Sequence, residues 1–217
     1  MRVEDQGRTE AGKETGRIEA FSDGVFAVAI TLLALELRIP RPADLPAGAG
    51  LLGALLDQWP AYVAYVVSFV FILIMWINHH ILFTHIARND HLFLLFNGLL
   101  LMLVTLVPFS SGLLADYIEH PDRRVAAVVY SGIFLLIAVV FNLLWLYAAR
   151  DNRLLDRRAD PRAVEEITRA YRFGPLLYFV AFALAFVSVA ASVGLSFLLA
   201  LYFALPRASS RVRRVGS

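Results

Sequence analysis

Five polar side chains interrupt long apolar runs in this chain of 217 residues. Ser22 and Asp23 lie in RIEAFSDGVFAVAITLLALEL (17–37), Trp76 and His79 in MWINHHILF (75–83), and Asn97 in the run that begins near Leu92. A carboxylate and an imidazole inside a membrane can relay protons, so one reading is a proton-coupled or proton-permeable transporter using Asp23 and His79. The same residues can instead tie helices together by hydrogen bonds. Axial haem ligation is a third chemistry, with His79, His80, His85, His91 and His120 as the available imidazoles. Their clustering in one turn and the loop after it argues against ligation across helices. Cysteine is absent, which excludes disulfides, thiolate metal sites and cysteine nucleophiles. There is no nucleotide-binding glycine loop and no arginine series of the voltage-sensing kind within an apolar run. No cofactor and no enzyme activity is expected.

The elements that hold these residues are membrane helices. The chain is 59% hydrophobic, with a mean hydropathy of +0.66, against roughly 45–50% apolar residues in soluble domains. About 20 apolar residues at 1.5 Å each cross the hydrocarbon of a bilayer. Four segments meet that length, at about 18–37, 59–83, 92–115 and 125–149. The stretch 173–205 is too long for one crossing. Its middle, VSVAASVG (187–194), is small and turn-tolerant, so it divides into spans at about 173–188 and 192–205. The fold class expected is therefore an all-α integral membrane protein with six transmembrane helices.

Residues 1–16 are polar and charged and read as a mobile tail rather than a cleaved leader; 17–206 form the six-span domain; 207–217 form a basic tail. With both termini inside, sixteen of the twenty basic residues fall on the cytoplasmic side, which fits the positive-inside rule. The expected location is the cell (plasma) membrane, and the net charge of +2 gives no case for nucleic acid. Residues 41–50 read as an irregular loop. Asp160 and Pro161 read as the start of a short cytoplasmic helix leading into the fifth span.

On a helix wheel of about 100° per residue with Gly24 at 0°, Val28 lies at about 40°, Thr31 at 340° and Leu35 at 20°. Those four make one narrow stripe. Leu32 flanks it at about 80° and Ala27 at 300°, whereas Asp23 falls near 260° and Ser22 near 160°. The polar pair therefore faces neighbouring helices. Trp76 and His79 share a helix face at a similar depth, and Asn97 enters at a matching level. Ser22, Asp23, Trp76, His79 and Asn97 can satisfy one another as a structural polar network. Arg17, one turn outside, is expected to join this network by pairing with acids, or to snorkel to headgroups.

Arg17-x-x-x-Phe21-Ser22-Asp23, with Trp76-x-x-His79, resembles the signatures of the transmembrane protein 175 family of potassium channels. The resemblance covers residues 15–206 and looks like a prokaryotic member with a single repeat. It implies a homotetramer in a lipid bilayer whose first helices line a central pore, with potassium ions as the only metal. It further implies an apolar constriction at Val28, five residues after the motif aspartate, with Leu32 and Leu35 as further layers. Thr31 takes the position tied to potassium selectivity. Valine is smaller than the isoleucine or leucine usual at the constriction. No segment resembles the TVGYG carbonyl filter, so selection would fall to first-helix side chains.

Overall fold

The computed structural model describes residues 2–41, 50–156 and 159–204. Its elements are α1 (Arg2–Leu33), α2 (Leu51–Asp57), α3 (Trp59–Phe83), α4 (His91–Thr105), α5 (Val107–Tyr117), α6 (Arg123–Ala149), α7 (Pro161–Ala185) and α8 (Val189–Ala204). Four stretches are long and apolar enough to span a membrane: Gly12–Glu36, Trp59–Phe83, His91–Tyr117 and Arg123–Asn152. Val189–Phe203 is a shorter apolar helix. The basic tail expected at 207–217 and most of the loop expected at 41–50 lie outside the described residues.

Helix α1 begins well before the long apolar run, so residues 2–16 continue the first span as helix. A helix already nucleated in the apolar segment needs no new nucleus to extend; Glu, Lys, Arg and Gln favour the extension, against Gly7, Gly12 and Gly16. At its far end α1 tightens into a 3₁₀ turn at Ala34–Glu36. The third apolar segment is two helices. Pro108 has no amide hydrogen for the Val104 carbonyl, so the ladder breaks at Leu106 and restarts as α5.

Asp160 caps α7 as its spacing suggests, accepting from the Arg162 amide at 3.0 Å, with Pro161 at the first helical position. The helix then runs to Ala185 without a break, where a separate short helix was expected. It passes through Pro175, which leaves the Tyr171 carbonyl without its helical donor. Asn142 of α6 supplies that donor through Nδ2. Between α7 and α8 the turn occupies only Phe186–Ser188, and the small residues after it are helical. They serve close approach: Ser192 donates to the Ala181 carbonyl at 2.7 Å, and Ser192, Ser196, Ala181 and Ala185 are all fully buried.

The centre of the subunit is α6, which packs against α4, α5, α7 and α8. Phe71, Tyr130, Phe134 and Trp145 are buried around it, with Phe71 and Phe134 ring centroids 4.4 Å apart. Helix α1 lies to one side against α3, α4 and α5. Two polar contacts tie down the ends of this assembly. Beyond α1, Arg38 meets Asp116 of α5 at 2.7 Å. At the opposite end the α3–α4 turn is clasped to the segment after α6. Ala87 donates to the Leu154 carbonyl and Asp156 to the His85 carbonyl, each at 2.9 Å. Asp90 accepts from the Phe93 amide at 3.0 Å and from the Tyr147 hydroxyl at 2.6 Å, and lies 3.3 Å from Arg153.

Candidate functional site: the two faces of the first helix

The face of α1 turned into the subunit carries Ser22, Phe26, Ala29 and Leu33, all buried. Every hydrogen bond on this face has an assignable direction. Ser22 Oγ donates to the Ile18 carbonyl at 2.9 Å, and Asn97 Nδ2 of α4 donates to Ser22 Oγ at 3.0 Å. Asn97 Oδ1 must then be the acceptor in its 3.0 Å contact with His79 Nε2 of α3, so the imidazole hydrogen is on Nε2. His79 is gripped between Phe26 and Phe83, with ring centroids 5.3 and 4.4 Å away, and its Nδ1 has no partner among the described residues.

Asp23 stands beside this chain rather than in it. Its Oδ1 accepts from Trp76 Nε1 at 2.8 Å. The Trp76 ring stacks on His80, whose Nδ1 is 2.8 Å from Glu19 Oε1. The single cluster expected from the sequence is thus two parallel ties, Ser22–Asn97–His79 and Asp23–Trp76, both linking α1 to α3 and the first also to α4. Sequence reasoning missed Glu19 and His80. Their signal was available, since Glu19 lies four residues before Asp23 and His80 four after Trp76, each one turn along the same face.

Arg17 does not join the network. It is exposed and makes no hydrogen bond or ion pair with any described residue. The reason is angular: seven residues, close to two full turns, separate it from Gly24, which puts it at about 20° on the wheel and away from Ser22.

The opposite face is apolar and uncovered. Val28 is 54% exposed, Leu32 37% and Leu35 76%, and Gly24, Ala27 and Thr31 are exposed with them. Ile30, on the wheel near 240°, packs against the core instead. Thr31 Oγ1 donates to the Val28 carbonyl at 2.8 Å. With its hydrogen tied back to the helix, the hydroxyl presents its lone pairs outward. Such an oxygen accepts from water or coordinates a cation. Among the described residues no group of three or more His, Cys, Asp or Glu side chains could hold a metal ion.

The subunit is thus an all-α membrane protein whose first-helix polar groups bond inward while Val28, Leu32 and Leu35 are exposed. Residues 17–108 match the family described as the endosomal/lysosomal potassium channel TMEM175. The chain is 60% identical over 192 residues to a curated potassium channel of Chamaesiphon minutus, covering 88% of this chain and 94% of that one. It is 46% identical over 191 residues to a potassium channel of Streptomyces collinus, covering 88% and 91%. A crystal structure described as a lysosomal potassium-selective channel TMEM175 homolog from Chamaesiphon minutus superposes with a TM-score of 0.80 at 57% identity, over 88% of this chain and 97% of that one. A more distant animal relative, from Gallus gallus, is named an endosomal/lysosomal proton channel; it is 33% identical over 143 residues, 63% of this chain and 28% of its own length. The chain belongs to the TMEM175 family.

Proposed function

We propose that this protein is a potassium-selective channel of the plasma membrane, a homotetramer in which α1 of each subunit lines a central pore. Each subunit crosses the bilayer six times, by α1, α3, α4 with α5, α6, α7 and α8, with both termini cytoplasmic. Val28, Leu32 and Leu35 form stacked apolar rings, Val28 the narrowest, and Thr31 adds a ring of hydroxyl oxygens between them. An apolar ring makes an ion shed part of its hydration shell, and potassium releases its shell more readily than sodium. The same rings can close the path by dewetting. Selectivity is therefore real but modest.

One observation carries this reading: along α1 and the 3₁₀ turn that ends it, the polar residues Ser22 and Asp23 are bonded inward while Val28, Thr31, Leu32 and Leu35 are left uncovered. The names of the bacterial relatives support potassium as the ion. Ion flux into liposomes holding the purified protein tests it, with potassium, sodium and protons compared. The expected order is potassium above sodium, with no obligatory proton coupling. Potassium movement strictly coupled to protons would overturn the channel.

The name of the animal relative favours a second reading, proton permeation involving Asp23 and His79. Against a relay, the two groups bond to Trp76 and Asn97 respectively rather than to each other. Proton flux that persists in Val28→Asn but vanishes in His79→Gln would support it.

A further inference from the structure

The uncovered stripe of α1 does not end at the motif. The helix runs unbroken from Arg2 to Leu33, so its wheel continues below Gly24. Arg17 falls at about 20° and Lys13 at about 340°, in register with Gly24, Val28 and Thr31. Both are exposed, and neither bonds to a described residue. Of the acids nearest in sequence, Glu14 lies near 80° on the wheel, level with Leu32 at the edge of the stripe rather than on its axis, and Glu19 is held by His80 on the subunit side.

We propose that Arg17 is a permeation-controlling residue: one guanidinium from each subunit forms a positive ring at the N-terminal mouth of the pore and limits the cation current drawn from that side. This rests on the pore reading of α1. Arg17 sits seven residues, about 10 Å along the axis, outside Gly24. At that distance it cannot dehydrate an ion or form the gate. It acts only by lowering the local cation concentration, which makes its effect dependent on ionic strength. The arginine of the motif then has a task separate from that of Ser22 and Asp23, which hold the helix in place.

The chain has no cysteine, so a single introduced thiol can be modified without a background. Arg17→Cys is assembled and its potassium current recorded before and after thiosulfonate reagents are applied from the N-terminal side. A sulfonate-bearing reagent should raise the current drawn from that side, and a trimethylammonium-bearing reagent should lower it. The difference should be about two-fold or more near 0.01 M salt, where the Debye length is about 30 Å, and should nearly vanish at 1 M, where it is about 3 Å. Because the same assembled channels are compared before and after modification, a folding defect cannot imitate the result. No change, or a change of the same sign with both reagents, would overturn the proposal. Val28→Cys separates the two levels of the argument: if modification there blocks current while Arg17→Cys is insensitive, only the ring is wrong. If Val28→Cys is insensitive as well, the pore reading has failed with it.

Discussion

Val28 and Ile30 are two residues apart, equally apolar, and face opposite ways. Val28→Asn puts polar atoms on the uncovered stripe and lowers the cost of wetting it, so potassium flux should rise and discrimination against sodium should fall. Ile30→Asn, directed at the core, should not raise potassium flux; the same liposome assay checks both. Thr31→Ala removes an oxygen whose lone pairs face outward, so current should persist with reduced selectivity, read as a shift in reversal potential under mixed potassium and sodium. On the other face, Asp23→Ala leaves the Trp76 indole N–H without its acceptor. A fully buried donor left unsatisfied costs about 1–3 kcal/mol, and the partly buried indole falls toward the low end of that range. The expected outcome is a lower thermal midpoint and less assembled protein in detergent, before any change in which ion passes.

The helices depend on repairs made by their neighbours. Pro175 opens the ladder of α7 in an apolar setting, and Asn142 of α6 closes it. Asn142→Leu should therefore destabilise by about 1–3 kcal/mol, although leucine suits a membrane helix better than asparagine by transfer energy; detergent unfolding measures the sign. The clasp at Asp90 is an aqueous counterpart. Partial burial alone would raise its carboxyl, but the hydrogen bonds from Tyr147 and the Phe93 amide, with the Arg153 charge, outweigh it and hold the carboxyl below its usual range. A depressed folded value means the clasp adds stability above the range of a free carboxylate, about pH 4, and loses it as pH falls through the lower folded value. Unfolding midpoints of the native chain and Asp90→Asn should differ at pH 7 and converge in strong acid.

At the scale of the whole molecule, the proposed channel draws only the α1 stripe from each subunit, and one such stripe cannot enclose a path. Closed cyclic symmetry is the usual way for identical subunits to do so. Native mass measurement in mild detergent should give four copies, and a monomer would remove the pore along with the assembly. The exposed leucines of α2, namely Leu51, Leu52, Leu55 and Leu56, lie outside the bundle core. No helix is expected there from the sequence, because seven residues with a glycine among them are too short for a periodic pattern to register.

Hydropathy and angle were legible in the sequence because each is a local property. The apolar runs marked the membrane helices, the proline at 161 and the aspartate before it marked the start of α7, and the wheel separated the Val28–Thr31–Leu35 stripe from Ser22 and Asp23. Tertiary structure alone decided which of the buried polar groups bond to which. The division into a Ser22–Asn97–His79 tie and an Asp23–Trp76 tie depends on how α3 and α4 are rotated against α1, and sequence spacing carries no information about rotation between helices. It also decided where helices end. The break before Pro108 and the continuity through Pro175 involve the same residue type, and they differ because a neighbouring asparagine reaches the freed carbonyl in α7. Arg17 moved from the polar network to the open stripe for a related reason: once α1 is continuous below Gly24, its angle is set by the helix, and among the described residues none bonds it.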